Sequence, residues 1–224
     1  MLISVVVPTL EEAGEVTALL DHLAEFDEVV IADGGSADDT CALAACHPRG
    51  PLLVHTDRGR ARQLNAGAAA ARGEVLVFLH ADTRLPSGAA GLIERALRNP
   101  SVLGGNFALR FDGGDRFSAL LSRWYALQRR LGVYYGDSVL WCRREVFDML
   151  GGFRELPIME DYDFVRKLER AGRTLCLPGP AVTSARRWRQ HGLARTVGAW
   201  VLIRWLYLAG VCPDRLARLY PVIR

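Results

Sequence analysis

Lysine is almost absent from this chain: of 28 basic residues only Lys167 is a lysine. A Gly-Lys-Ser or Gly-Lys-Thr triplet is therefore missing, which excludes a Walker phosphate loop, and no Gly-x-Gly-x-x-Gly dinucleotide fingerprint occurs. The five cysteines are odd in number and form no Cys-x-x-Cys pair, so neither a disulfide framework nor a zinc site is indicated and a reducing cytoplasm fits. A long uninterrupted apolar run is also missing. Thr196–Cys212 falls short of the roughly 20 apolar residues of a membrane span, Arg204 interrupts it and Pro213 follows it. The strand-like run from Leu2 to Val7 has no basic region or cleavage site before it, so no export signal is expected.

What is present is enough for one sizeable core: 224 residues, 50% of them hydrophobic, with a net charge of only +3. The charge is uneven. From Arg186 to Arg224 eight arginines face one acid, Asp214, a balance suited to phosphates or an anionic surface. Trp200, Trp205 and Tyr207 beside those arginines fit an interfacial helix over 196–212 at the inner face of a plasma membrane; packing on the domain or on a second subunit, giving a homodimer, fits them equally.

The first half alternates strand and helix patterns. Strands are expected at Leu2–Val7, Glu28–Ala32, Leu52–His55 and Glu74–Leu79, and helices at Glu12–Phe26, Ala37–Cys46, Arg60–Arg72 and Ser87–Arg98. Repeated βα winding implies a parallel sheet. Beyond it come a strand at Val102–Phe111, an amphipathic helix at Phe117–Leu131, a short strand at Ser138–Cys142 and a helix at Asp161–Ala171. The expectation is a single α/β domain over residues 1–192, with a nucleotide half to about 111 and an acceptor half from 112 to 192. A helical tail, 193–224, completes it.

Chemistry concentrates where strands end. The fourth strand runs into His80-Ala81-Asp82, and a carboxylate at the carboxyl end of a parallel strand suits a divalent cation holding a phosphate. Asp33-Gly34-Gly35-Ser36 turns out of the second strand, either as an ordinary βα turn or with Asp33 placed to accept from a nucleobase edge, while Asp38 and Asp39 read as helix-start acids.

Four blocks together resemble the family 2 glycosyltransferases of the GT-A fold: Val6-Val7-Pro8-Thr9-Leu10-Glu11-Glu12, Asp33 to Thr40, His80-Ala81-Asp82, and Gly151-Gly152-Phe153 leading to Glu160-Asp161. The resemblance runs from Leu2 to about Gly192. The segments Gly59–Gly67 and Leu79–Thr83 are further similar to a small bacterial branch linked to arsenosugar biosynthesis.

The resemblance implies a mixed, mainly parallel Rossmann-like sheet and a metal-dependent inverting transfer of a sugar from a nucleoside-diphosphate donor to an acceptor hydroxyl, with no nucleic-acid partner. It assigns Pro8, Thr9, Glu11, Asp33, Arg62 and His80 to the donor, with Arg58 and Arg60 equally suited to solvated roles. Asp82 becomes the principal ligand of Mn2+ or Mg2+; His80, standing where the family has its first acid, is a ligand, an outer contact or a ribose contact. His191 is a further candidate ligand. Asp161 becomes the general base and Glu160 an orienting group. Asp137, Arg187 and Trp188 are candidates for the acceptor or diphosphate.

Glu11 departs from the family's asparagine, and the glutamine that precedes the Arg-Trp element in processive relatives is missing. Single-sugar transfer is therefore expected. The rivals are a catalytically degenerate binding module and a sugar-phosphate nucleotidyltransferase, whose glycine- and lysine-rich signature the Pro8–Ala13 segment lacks.

Overall fold

A computed structural model describes residues 1–113, 115–184 and 193–219, the backbone alone for 193–196. Eight strands form one sheet: β1 (Ile3–Thr9), β2 (Glu28–Asp33), β3 (Leu52–His55), β4 (Val75–Phe78), β5 (Thr83–Arg84), β6 (Val102–Phe111), β7 (Leu140–Arg143) and β8 (Arg173–Thr183). Their order is β3-β2-β1-β4-β7-β6-β8-β5. The first four strands are mutually parallel; β7 runs antiparallel to both β4 and β6, and β8 is parallel to β6. The parallel half expected from the βα winding and the mixed, mainly parallel sheet expected from the resemblance are both observed.

The near-continuous apolar strands are explained by burial on both faces. Along β1 the side chains alternate, Val5 and Val7 entering a core with Leu19 and Leu20 of α1 (Val16–His22) and Ile93 of α4 (Ala89–Leu97). Val6 enters the other core, with Leu64 of α3 (Arg60–Ala70) and Phe164 and Val165 of α7 (Glu160–Ala171). Here α3 approaches β1 so closely that a Cβ on Gly67 would lie 2.4 Å from Val6 Cγ1, so this position requires glycine.

Two helices start later than their apolar spacing suggests. The N–H groups of Glu12 and Ala13 donate to Thr40 Oγ1 and Asp38 Oδ2, which holds the chain in turns until Val16. Asp38 also accepts from Thr40 N at the start of α2 (Thr40–Cys46), the expected use of a helix-start acid. Strand β8 was hidden by Pro178-Gly179-Pro180; these residues fall where the β6–β8 register shifts between Phe107 and Leu109, so the ladder tolerates them. The six-residue α6 (Arg144–Met149) was also not anticipated.

After α5 (Arg116–Arg130), the carboxyl-terminal segment forms α8 (Leu193–Leu208) and α9 (Pro213–Leu219). Pro213 opens a helix rather than merely ending one, as the first helical position permits. Ile203 and Leu216 pack with Met159 and Tyr162, and Tyr207 Oη donates to Asp163 Oδ1 at 2.8 Å. Of the expected alternatives for this tail, packing on the domain is thus realised. No described helix is long and apolar enough to cross a membrane. The expected domain boundary at 192 lies outside the described residues, as do Arg186, Arg187, Trp188 and His191.

Candidate active site

Strand order reverses direction between β1 and β4, and the carboxyl ends of strands at such a switch point form a crevice. A narrow cleft occupies this place. Pro8 of β1 and Phe78, Leu79 and His80 from the end of β4 line one side, and Arg60, Gly136, Phe153 and Asp161 close the other.

On the β2 side the polar groups satisfy one another. Asp33 is 2% exposed; its Oδ1 accepts from Thr9 Oγ1 (3.0 Å) and Ser36 Oγ (2.6 Å), and its Oδ2 from the N–H groups of Gly35 (2.9 Å) and Ser36 (2.8 Å). Burial pushes this carboxyl up, but the bonds from Ser36, Thr9 and Gly35 outweigh it and hold the acid below its ordinary range. A carboxylate has about four acceptor positions. Asp33 therefore organises its turn, and a nucleobase contact would require one of these bonds to yield.

Glu11 acts alongside it. Its Oε1 accepts from Ala37 N at 2.8 Å and its own N–H donates to Ser36 Oγ, so the residue ties the β1 loop to the β2 loop. Gln63, which sequence reasoning missed, is buried and donates to the carbonyls of Thr9 and Ala32, clamping the two strand ends together.

The arginines divide differently from expectation. Arg62 Nε donates to Glu155 Oε2 at 2.8 Å in an exposed pair, whereas Arg60, at the first position of α3, faces the cleft. Arg60 Nη1 lies 3.2 Å from Glu160 Oε1. Glu160 is 3% exposed; burial raises its pKa, against the Arg60 charge, while Asp161 adds to the rise. Glu160 thus positions Arg60 from beneath. An arginine opening a helix at the carboxyl edge of a parallel sheet was the available signal for this role.

Asp161 stands at the start of α7, where the helix dipole favours a carboxylate. Its Oδ2 accepts from Gly136 N at 2.8 Å and its Oδ1 from Tyr162 N at 2.7 Å, which among the described residues leaves one lone pair on each oxygen. A Cβ placed on Gly136 would lie 2.9 Å from His80 Nε2 and 3.2 Å from Asp161 Oδ2. The imidazole and the carboxylate, 81 positions apart in sequence, therefore converge on one glycine. Asp163, by contrast, turns to Tyr207 and Arg154, away from this point. Asp137 sits half-buried in the Gly136–Ser138 turn beside the cleft.

Behind these groups, Asn65 exchanges two hydrogen bonds with the backbone of Phe153 and so fixes the Gly151-Gly152-Phe153 loop to α3. Both glycines have positive φ, 73° and 63°. Three non-glycine residues are also left-handed among those described: Glu11, the β-branched Val139 and Met159. Each costs of order 1–3 kcal/mol. All three flank the cleft loops.

For a hard cation, Asp82 is the suitable donor. It is half-exposed in the His80–Thr83 turn and takes one long hydrogen bond, 3.4 Å, from Thr83 Oγ1. Asp82 offers a carboxylate and His80 an imidazole, donor types that a divalent cation accepts. Asp33, Cys41 and His55 also bring three ligand atoms within 4.8 Å of one another. There the carboxylate is already saturated, and burial together with the Asp33 charge raises the Cys41 thiol, so this trio fits a metal less well.

The sequence profile of glycosyl transferase family 2 matches residues 4–154, and the chain belongs to that family. Its fold is GT-A. The mannosyltransferase PcManGT from Pyrobaculum calidifontis, in complex with GDP-Man and Mn2+, superposes with a TM-score of 0.70 at 24% identity, covering 97% of this chain and 68% of that one. Glucosyl-3-phosphoglycerate synthase from Mycobacterium tuberculosis, with Mn2+, UDP and its product, gives 0.61 at 24% identity over 91% and 79%.

Among sequences, an uncharacterized M. tuberculosis (strain CDC 1551 / Oshkosh) protein is 35% identical over 75% of this chain and 61% of its own length. A PGL/p-HBAD biosynthesis glycosyltransferase of Mycobacterium bovis (strain BCG / Pasteur 1173P2) is 37% identical over 37% of this chain and 36% of its own. The chain thus spans about a third to three fifths of the length of these curated relatives.

Proposed function

We propose that the chain is a metal-dependent, inverting glycosyltransferase that moves one sugar from a nucleoside-diphosphate donor to an acceptor hydroxyl. The convergence of His80 and Asp161 on Gly136, at the switch point of the sheet, carries this reading. Solved relatives of this fold hold GDP-Man or UDP with Mn2+, which supports a nucleotide-sugar donor.

Pro8 and the Asp33 turn receive the nucleoside, and Arg60, positioned by Glu160, offers its guanidinium to the diphosphate. Asp82 and His80 would hold Mn2+ or Mg2+, which supplies charge neutralisation for the leaving diphosphate. Asp161 takes the proton of the attacking hydroxyl on a free carboxylate lone pair. Attack from the face opposite the diphosphate gives inversion. Asp137, Arg187, Trp188 and His191 keep the roles implied by the resemblance.

His80 in place of an acid and the saturated Asp33 favour, as a second reading, a degenerate donor-binding module. Mn2+-dependent donor hydrolysis separates the two. Asp161→Asn tests the base: it should retain folding and donor affinity and lose about 10² to 10⁴ in transfer rate. Transfer at the wild-type rate by a stable Asp161→Asn protein would remove Asp161 from the role.

A further inference from the structure

Helix α5 has an exposed pattern that its packing does not use. It buries Ser118, Leu121, Tyr125 and Gln128. Phe117, Leu120, Leu127 and Leu131 are instead 57–76% exposed. At 3.6 residues per turn these four fall within an arc of about 80°. Beside that arc, Arg116, Arg123 and Arg130 recur at every seventh position and form an exposed basic row.

Helix α8 lies against α5: Trp200 meets Tyr125 edge-on, and Arg204 donates to Gln128. The outward side of α8 is apolar too, with Leu202, Trp205 and Leu208 exposed. Neither helix contains an Asp or Glu. Exposed apolar side chains gathered on two helices that pack together mark an interaction site.

We infer that the paired α5–α8 face docks on an anionic lipid bilayer, its leucine and aromatic side chains entering the interface and the arginine row meeting headgroup phosphates. Charge selects this occupant. A second copy would oppose two arginine-bearing, acid-free faces, a like-charge arrangement that association disfavours. The expected contact through residues 196–212 is thereby extended to α5, whose apolar row the sequence alone did not separate from a buried one. This inference is independent of the proposed transfer activity.

Co-sedimentation with vesicles of phosphatidylcholine alone, or with one third phosphatidylglycerol, tests it on the full chain. The protein should bind the anionic vesicles, lose binding as salt rises, and bind neutral vesicles far more weakly. Arg116→Gln/Arg123→Gln/Arg130→Gln should lower partitioning by about 10²-fold, and Leu120→Glu/Leu127→Glu should abolish it, with melting curves confirming that each variant is folded. Equal binding to both vesicle types, unchanged binding by folded variants, or a solution dimer that the leucine variant dissociates would overturn the inference. The wild-type salt and lipid comparison decides the matter even where a variant fails to fold.

Discussion

The two walls of the cleft are built on opposite principles. On the β2 wall, Asp33, Thr9, Ser36, Glu11 and Gln63 satisfy one another, so the loops are held by short hydrogen bonds before any ligand arrives. On the β7–α7 wall, where Val139 and Met159 adopt left-handed backbone as Glu11 does opposite, Asp161 keeps acceptor capacity in reserve among the described residues. The difference teaches a division of labour: a wall whose polar groups satisfy one another suits recognition of an invariant nucleoside, and a wall with an acceptor in reserve suits groups that must be aimed at a reacting atom.

If that division holds, the β7–α7 wall should be the more sensitive to small intrusions. Gly136→Ala adds one methyl between His80 Nε2 and Asp161 Oδ2, and it should lower transfer by about 10²-fold while leaving the melting temperature nearly unchanged. Steady-state rates alongside thermal melts check this; full activity would show that the two side chains need not meet there.

Between the walls stands the Arg60–Glu160 pair. Removing one partner of a buried pair costs about 3–5 kcal/mol, and because Arg60 is 41% exposed the expected loss in Arg60→Ala is reduced to about 2–3 kcal/mol. The sign with pH follows from Glu160, whose folded pKa is raised by burial. Stability from such a group is full below the ordinary carboxylate value and lost as pH rises through the folded one. Without Arg60 that value rises further. Denaturant unfolding should therefore show a larger deficit at pH 8 than at pH 5, and Glu160→Gln in the same background should restore most of it.

The β2 wall should answer in stability rather than in rate. Asp33→Asn presents an amide where Gly35 and Ser36 both donate, so it should cost about 1–2 kcal/mol at pH 7. Asp33 is held below its ordinary pKa, so its contribution is present above the ordinary carboxylate range and is lost as pH falls through the folded value. The gap between wild type and variant should narrow on acidification; a constant gap down to pH 3 would deny the carboxylate its stabilising role.

How much of this was legible beforehand follows the same division. The parallel half could be read because each buried strand is punctuated by a local turn and followed by a helix, and Pro8, Asp33 and His80 stand where strands stop. Asp161 was legible only through resemblance, since its partner, Gly136 N, is 25 residues away. That Arg60 lines the cleft while Arg62 pairs with Glu155 depends on the phase of α3, which alternating arginines in an alanine-rich helix do not reveal. Strand β8 was concealed because its Pro-Gly-Pro breaks every local strand rule, and only the shifted pairing with β6 accommodates it.

The division of labour is tested most directly by calorimetric titration of a nucleoside diphosphate with Mn2+ into wild type, Asp82→Ala, His80→Ala and Asp161→Asn. The account predicts that Asp82→Ala loses the metal-stimulated part of donor affinity, that His80→Ala only weakens it, and that Asp161→Asn binds as wild type does. Unchanged metal-dependent affinity in Asp82→Ala, or a donor-binding loss in a folded Asp161→Asn protein, would contradict it.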